Sequence, residues 1–241
     1  MFHTTNGGTT WSQQISNVSS LNSVCFGDSN IGMVAGTFNL LWTTDGGQTW
    51  KIKEGPYAIG ACHCINARTA IAVSGLGHIY RTTDSWASWS DFYTGQDPLV
   101  AVGFADSSHG IVVNQVGQVF RTTDGGISWT TLSQTLSAGD YFTNITFADA
   151  NNGLEVAEGA IYYRTADAGL SWQTVQFPAA KRLHDVAFPT KDINRPVFVT
   201  GEGDIIEPTT ATCTPYPSVT VVYPPNGAAH QIFDAVSSPA L

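Results

Sequence analysis

The sequence has little charge, and positive charge is its scarcest component. The 241 residues include 10 lysines and arginines against 19 aspartates and glutamates, so the net charge at pH 7 is −9. Charged residues make up 12% of the chain, about half the ~25% that soluble domains usually carry. A chain with so few cations cannot neutralise a row of phosphates, so we expect neither nucleic acid nor an anionic lipid surface as a partner.

Long apolar runs are also missing. No segment approaches the ~20 consecutive apolar residues of a transmembrane helix, so direct insertion into a membrane is not expected. A polar turn begins at His3, directly after Met1 and Phe2, so no signal peptide is expected in this segment. We favour a start inside a longer, exported precursor, which predicts an extracellular or cell-surface protein.

Cysteine is the third scarce component. The four cysteines are too few for a disulfide scaffold. The Cys62-His63-Cys64 triplet lacks the paired C-x-x-C spacing of zinc sites. We therefore expect no metal and no cofactor.

Tryptophan and glycine, by contrast, are abundant, and a repeated segment accounts for most of the tryptophan. Five of the 7 tryptophans close a segment that reads T-T-D-G-G-x-T-W in its fullest form, called the box below. Its Asp or Asn accepts bonds from backbone N–H groups just ahead of it, and its glycines permit positive φ. The closing Trp begins a strand and buries its ring between neighbouring sheets. The box is thus a hairpin staple, and its structural residues are Asn6, Trp11, Asp45, Trp50, Asp84, Trp89, Asp124, Trp129, Asp167 and Trp172. Because every hairpin needs its acid, we assign no catalytic residue here.

A second pattern precedes each box at the same period of about 40 residues. It reads apolar-x-Phe-x-Asp, then a glycine and an apolar run, as in the segments that begin at Val24, Val102 and Ile145. A short turn and a third strand follow, and the box then leads into a fourth strand. Four short antiparallel strands per repeat are typical of a β-propeller blade.

These motifs carry a family resemblance over roughly residues 1–210. The box resembles the Asp-box, or bacterial neuraminidase repeat. The whole repeat resembles that of the photosystem II assembly and stability factors. The resemblance implies an all-β propeller whose ligands bind on the face opposite the boxes. It also implies seven blades and a basic patch for membrane subunits, whereas the ten cations here do not cluster.

The ends of the chain set the predicted number of blades. The chain begins in mid-blade and ends with three strands that lack a box, so residues 9–16 are predicted to complete the blade begun at 183–207. This closure gives about five blades. The alternative is part of a larger ring, whose open strand edges could pair with another copy. The predicted domains are a propeller over 1–212 and a Pro-rich tail, or the start of a further domain, over 213–241.

Two groups of residues are candidates for function or cross-linking. Exposed loop aromatics with nearby acids suit protein or carbohydrate binding. Cys25 and the pair Cys62 and Cys64 lie on inner strands of adjacent blades, so Cys25 is predicted to meet one of them, as a disulfide if the protein is exported. The ligand-face candidates are Tyr57, Phe92, Tyr93, Asp97, Asp140, Tyr141, Phe142, Glu158, His184 and Glu202.

The predicted function is recognition without chemistry. We expect a non-enzymatic module of a secreted, cell-surface or virion protein that binds a protein or a glycan through the loops opposite the boxes. One alternative is a sialidase-like glycoside hydrolase, for which Glu158 and Glu202 could supply the two carboxylates that glycoside hydrolysis requires. The second alternative, from the resemblance, is an assembly factor for a membrane protein complex.

Overall fold

The structure, a computed structural model, describes residues 1–6, 9–14, 18, 20–53, 55–56, 58–136, 141–177, 181–208 and 219–222. An N-terminal hairpin, β1 (Phe2–His3) and β2 (Ser12–Gln13), precedes five blades of four strands each. Blade 1 holds β3 (Leu21–Phe26), β4 (Gly32–Gly36), β5 (Leu40–Thr43) and β6 (Lys51–Lys53). Blade 2 holds β7 (Ile59–Cys64), β8 (Ala70–Ser74), β9 (His78–Thr82) and β10 (Ser90–Tyr93). Blade 3 holds β11 (Leu99–Phe104), β12 (Gly110–Asn114), β13 (Gln118–Thr122) and β14 (Thr130–Thr135).

The last two blades follow the same order. Blade 4 holds β15 (Phe142–Phe147), β16 (Gly153–Ala157), β17 (Ile161–Thr165) and β18 (Gln173–Gln176). Blade 5 holds β19 (Leu183–Ala187), β20 (Val197–Thr200), β21 (Ile205–Pro208) and β22 (Val219–Val222). Every strand pairs with its neighbour in sequence, antiparallel. The prediction of an all-β propeller of five four-stranded blades is confirmed. The described residues contain no helix, and so none that is long and apolar enough to cross a membrane.

The core lies between the blades. In the first four blades every residue of the second strand is buried, because both faces of that strand pack against a neighbour. Each interface takes one face from each blade; between blades 3 and 4, for example, Ile111 and Val113 pack with Ile145 and Tyr163. The consecutive blades contact through their first strands, from β3 and β7 through to β15 and β19. Among the described residues no comparable strand contact joins blade 5 to blade 1.

The prediction that residues 9–16 complete the last blade is wrong. The fourth strand of blade 5 is β22, which pairs with β21 from Ile205↔Val222 to Pro208↔Val219. Ser12 and Gln13 instead pair with His3 and Phe2. The physical reason is locality, since a hairpin closed by its own box costs little loop entropy. The tail supplies a β-branched Val-Thr-Val-Val strand, so part of the predicted 213–241 segment belongs to the propeller sheet; the predicted boundary at 212 lies outside the described residues.

The N-terminal hairpin packs ahead of blade 1. Gln14 accepts a hydrogen bond from the indole Nε1 of Trp50 at 3.1 Å. In blade 3 the same kind of residue, Gln134 near the end of β14, accepts a bond from the backbone N–H of Trp172 in blade 4 at 3.1 Å. The hairpin therefore relates to blade 1 as the outer strands of blade 3 relate to blade 4.

Candidate functional site

The boxes form one end of the propeller, called the box face, and their acids are occupied by their own turns. Asp124 accepts bonds from the Thr122 hydroxyl at 2.7 Å, the Ser128 N–H at 2.9 Å and the Ser128 hydroxyl at 2.6 Å. The same network recurs around Asp45, Asp84 and Asp167, and in part around Asn6. Both oxygens of each carboxylate accept bonds within the turn, which suits a staple and not an acid–base catalyst.

These bonds also keep the box acids ionised. Bonds from the Thr49 hydroxyl and Thr49 N–H, with one from Thr43, lower the pKa of Asp45 to about 2. The Ser88 hydroxyl and N–H likewise lower the pKa of Asp84 to about 2. At Asp124 burial acts in the opposite direction, but the bonds from Ser128 outweigh it and the pKa falls to about 2.

The box tryptophans do not all behave as predicted. Trp129 and Trp172 are buried between blades, as the sequence predicts. Trp89 is 39% exposed, however, and the residue that fills the interface of blades 1 and 2 is Trp86, which is 3% exposed. Trp86 stands where the other boxes have their second glycine and adopts a φ of 67°. Since Trp86 already occupies the space between the blades, Trp89 has no interface to fill. Trp11, on the N-terminal hairpin, is also exposed.

Two arginines before the boxes act between blades. The Nε of Arg81 donates to the Gly125 carbonyl at 2.8 Å, and the Nε of Arg121 donates to the Ala168 carbonyl at 3.1 Å. Each arginine thereby ties the third strand of its blade to the box of the next blade. Blade 1 has Trp42 at the same position, and a small cleft on the box face lies there, lined by Met33, Trp42 and Trp86 among others. Arg81 and Arg121 are therefore structural, because each is held by a carbonyl of the next blade.

The opposite end of the propeller, called the loop face, is formed by two kinds of loop. The turns between the second and third strands meet the connections between blades there. In every blade the residue after the second strand donates its N–H to a carbonyl just before the first strand, at 2.7–3.0 Å. The five pairs are Thr37 to Ser20, Gly75 to Ala58, Gln115 to Pro98, Glu158 to Tyr141 and Gly201 to Arg182. The loop face is therefore a rim held by repeated backbone hydrogen bonds.

The structure exposes most of the described ligand-face candidates. Tyr93 ends β10 and its ring lies 4.8 Å from that of His78, tilted by 40°; His78 is hydrogen bonded to Asp91. Phe92, on the same strand, is exposed, and His184 is half-buried on β19. Tyr57 and Asp140 lie outside the described residues. The exposed candidates at the loop face are Tyr93, Asp97, Tyr141, Glu158 and Glu202.

The prediction that Phe142 belongs to the ligand face is wrong. This residue is only 4% exposed and packs between blades 3 and 4, with its ring 5.8 Å from that of Tyr163. The ring also contacts the turn of blade 3, because a Cβ at Gly117 would lie 3.2 Å from Phe142 Cε2. Phe142 is the first residue of β15, and its side chain falls on the inner side of the rim. It supports the loop face and does not form its surface.

Sequence reasoning missed a row of apolar side chains on the loop face. Phe38, Leu76 and Val116 occupy the same position, two residues after the second strand, in blades 1, 2 and 3. They are 67%, 58% and 49% exposed. The signal was present in the sequence, since each is an apolar residue in the middle of a Gly- or Asn-containing turn.

The charge at the loop face is mainly acidic. Glu202 occupies in blade 5 the position of Phe38, Leu76 and Val116, and Glu158 precedes that position in blade 4. Within the described residues the side chains of Asp97, Glu158, Glu202 and Arg182 have no hydrogen bond or ion pair, and all four are exposed. Lys181 forms an ion pair with Asp204.

The cysteines join blades 1 and 2. Cys25 of β3 and Cys64 of β7 form a disulfide with a Cα–Cα distance of 5.5 Å. Cys62 is a free, buried thiol whose Sγ lies 3.3 Å from the Ser23 hydroxyl. Burial raises the pKa of Cys62 to about 12, so it remains a thiol and lacks the thiolate that a nucleophile needs. Among the described residues no group of three His, Cys, Asp or Glu side chains is placed to hold a metal ion.

One buried acid belongs to no site. Glu155 of β16 is fully buried and pairs across the sheet with Tyr163, and neither of its carboxyl oxygens has a hydrogen-bond partner among the described residues. Blades 3 and 5 have Val112 and Phe198 at the same position, where they pack between blades. Burial raises the pKa of Glu155 well above its ordinary value. A carboxyl enclosed in this way cannot reach a ligand on either face.

A family model for the photosystem II assembly factor YCF48 matches residues 92–211. The chain is a β-propeller with Asp-box hairpins, and over residues 92–211 its repeats are similar to those of the photosystem II assembly factor family. No curated protein matches the sequence.

Solved structures show the same fold at low identity. YCF48 bound to a D1 peptide is 20% identical, with a TM-score of 0.61 over 83% of this chain and 68% of that chain. YCF48 from Cyanidioschyzon merolae is 16% identical, with a TM-score of 0.66 over 84% of this chain and 71% of that chain. The GH74 xyloglucanase from Xanthomonas campestris is 12% identical, with a TM-score of 0.64 over 86% of this chain and 39% of that chain.

Proposed function

We propose that the chain is a non-enzymatic, protein-binding propeller that acts in the assembly of a membrane protein complex and binds its partner through the loop face. The proposal rests on one observation, the contrast between the hydrogen bonding of the acids on the box face and of those on the loop face. The box acids accept hydrogen bonds from their own turns, whereas the loop face presents apolar side chains and acids that, within the described residues, have no hydrogen bond or ion pair. Exposed apolar groups on neighbouring turns are typical of protein interaction sites.

The family match supports the direction of the proposal. The matching family is named for photosystem II assembly, and one similar structure is of YCF48 with a D1 peptide. A propeller of this type can therefore bind a peptide. We extend to this chain the class of partner, a segment of a membrane protein, and not the particular peptide.

The test is co-purification from the native membrane with an affinity-tagged chain. The chain is expected to capture subunits or precursors of one membrane complex, and Tyr141→Ala is expected to weaken that capture. Leu170→Ala, an equally simple truncation of an exposed side chain on the box face, is the matched control. Capture of no membrane protein, or equal loss with both variants, would contradict the proposal.

We further propose an oxidising compartment for the protein, in line with the extracellular or surface location expected from the sequence. The Cys25–Cys64 disulfide supports this, because such bonds persist outside the reducing cytosol. Alkylation of thiols in intact cells, followed by mass spectrometry, tests it. Cys25 and Cys64 are expected to be protected as a disulfide, and alkylation of both at full yield would contradict it.

The glycosidase alternative has a direct assay. Its geometric requirement is two carboxylates at a set separation, and on the loop face the free carboxylates Glu158 and Glu202 belong to different blades. Xyloglucan, or a sialylated glycan, incubated with the purified chain is expected to remain intact. Hydrolysis that Glu158→Gln or Glu202→Gln abolishes would favour the glycosidase over the protein-binding propeller.

A further inference from the structure

The apolar row on the loop face is preformed. Ala58 joins the first two turns, since its N–H donates to the Thr37 carbonyl at 2.9 Å and its carbonyl accepts from the Gly75 N–H at 2.8 Å. Phe38 and Leu76 follow these two bonded residues directly. The loop between blades 2 and 3 continues the rim, with the Gln115 N–H donating to the Pro98 carbonyl at 2.8 Å. A surface fixed in this way loses little conformational entropy on binding.

Two glycines show how tightly the turns are held. Gly77 and Gly117 follow Leu76 and Val116, and both have a φ of +81°. A Cβ at Gly77 would lie 1.7 Å from the Gly95 carbonyl oxygen, and one at Gly117 would lie 2.5 Å from the Leu136 carbonyl oxygen. The turns therefore press against the loops between blades, and the apolar side chains beside them point outward from a rigid base.

Tyrosines border the row. Tyr93 is cross-strand from His78, two residues after Leu76, and the next residue, Thr94, donates its N–H to the Gly77 carbonyl at 2.9 Å. Tyr141 accepts the N–H of Glu158 and so borders the turn of blade 4. Both side chains are exposed. The row thus continues from apolar groups in blades 1 to 3 into a tyrosine and then into the acidic turns.

The acidic part follows along the same rim. Glu158 and Glu202 stand in the turns of blades 4 and 5, whereas Asp97 lies beside the apolar row, in the loop before blade 3 and next to the Gly77 turn. Arg182 is an exposed cation of blade 5, and its carbonyl holds the turn of that blade through the Gly201 N–H. Within the described residues the carboxylates of Glu158 and Glu202 have no ion pair and stand against the one exposed guanidinium of Arg182, so this part of the face is negative.

We infer that the loop face binds an extended peptide segment with apolar side chains on the turns of blades 1 to 3 and lysine or arginine facing Glu158 and Glu202. This inference rests on the proposed function and names the chemistry of its partner. A basic patch would select an acidic partner. Here the apolar row leads into carboxylates, which select a basic partner. A segment of this kind differs from an acidic tail, and the loop face discriminates against the latter by like-charge repulsion.

Fluorescence anisotropy with labelled synthetic peptides tests the inference on the full chain. Four peptides of equal length are compared: apolar with lysines at one end, the same with glutamates, apolar and neutral, and polar with lysines. The apolar, lysine-ended peptide is expected to bind about tenfold more tightly than each of the others. Its affinity is also expected to fall with added salt, because the acidic contacts are exposed.

Variants test the apolar row and the acidic turns separately. Leu76→Ser is expected to weaken the apolar, lysine-ended peptide about tenfold, whereas Ile127→Ser, at a 68% exposed position on the box face, leaves affinity unchanged. The double variant Glu158→Gln and Glu202→Gln is expected to bind the lysine-ended and glutamate-ended peptides alike. Circular dichroism checks that each variant is folded.

Other outcomes distinguish failure of the inference from failure of the proposed function. Tighter binding of the glutamate-ended peptide, or equal loss with Ile127→Ser, overturns the inference. Binding to neutral phosphatidylcholine vesicles with no peptide preference also overturns it in favour of a lipid surface. If the chain still captures a membrane complex while Leu76→Ser and the double glutamine variant capture it equally well, the inference fails and the proposed function stands. If nothing is captured, the proposed function fails.

Discussion

The two ends of the propeller are built by the same repeats, yet they treat their polar and apolar groups in opposite ways. On the box face both carboxylate oxygens of an acid such as Asp124 accept hydrogen bonds from its own turn. On the loop face the turns are held by backbone bonds and by a polar residue at the end of the second strand, such as Ser74 or Asn114. The side chains at the centres of the turns in blades 1 to 3 are apolar and exposed.

The comparison separates what repeats from what varies. The box residues recur in blade after blade because each hairpin needs the same hydrogen bonds. The turn position of Phe38, Leu76 and Val116 carries Gly159 in blade 4 and Glu202 in blade 5. Each of these positions follows a residue that makes the repeated backbone hydrogen bond, so a change of side chain there can give the ring an asymmetric binding surface without removing that bond.

The largest expected effect concerns the two tryptophans of the box in blade 2, whose roles differ from those in the other boxes. Trp86→Ala removes a buried ring between blades 1 and 2, and we expect a loss of about 3–5 kcal/mol in the free energy of unfolding. Trp89→Ala, three residues away in the same box, is expected to cost under about 1 kcal/mol because that residue is 39% exposed and fills no interface between blades. Urea unfolding of both variants measures the difference, and equal losses would contradict the exchange of roles.

The next effect concerns the cross-link between blades 1 and 2. Cys25→Ser with Cys64→Ser opens a loop of 39 residues and is expected to lower the free energy of unfolding by about 2–4 kcal/mol. Adding a reductant to the wild type is expected to give the same loss. Cys62→Ser serves as the control, and a loss as large as that of the double variant would place the stabilisation in packing around the sulfurs and not in the bond.

A smaller effect has the opposite sign. Glu155→Val puts an apolar side chain where blade 3 has Val112, and we expect a gain of about 1–3 kcal/mol at pH 4 and more at pH 7. The pKa of Glu155 is raised in the folded protein, so the wild type loses stability as the pH rises above 4.5, the ordinary value. Thermal unfolding across pH 4–8 measures this. A gain independent of pH would show that Glu155 is neutralised or paired in another way.

The smallest effect tests a single staple. Asp124→Ala removes four hydrogen bonds at an exposed turn and is expected to cost about 1 kcal/mol at pH 7. The folded pKa is lowered to about 2, so this contribution is present above the unfolded value of 3.8 and is lost as the pH falls through about 2. Glu202→Ala on the loop face is the matched control and is expected to leave stability unchanged in urea unfolding.

The blades were predictable because their signals are local and repeated. Five tryptophans at one spacing and a strand pattern before each box are sufficient to define the blades. The partner of β21 was not predictable, because two segments, 9–16 and Val219–Val222, both offer a strand and only the cost of closing each loop decides between them. The sequence also could not show that Trp86 replaces Trp89, since both rings lie in the same box and burial depends on the neighbouring blade.

The candidate site was predictable in place but only partly in composition. The loops opposite the boxes contain Tyr93 and Tyr141, as expected, but Phe142 turns inward because the first residue of β15 faces blade 3. The row from Phe38 to Val116 was missed because single apolar residues in turns are common. Only the superposition of equivalent turns in three consecutive blades makes them a surface.

The most direct test of the central claim is hydrogen exchange with the apolar, lysine-ended peptide added. Amides of residues 75–77 and 115–117 in the loop-face turns are expected to gain protection, while those of the box turns around Asp45 and Asp124 are unchanged. Protection confined to the box turns, or spread equally over both ends, would contradict the assignment of recognition to the loop face.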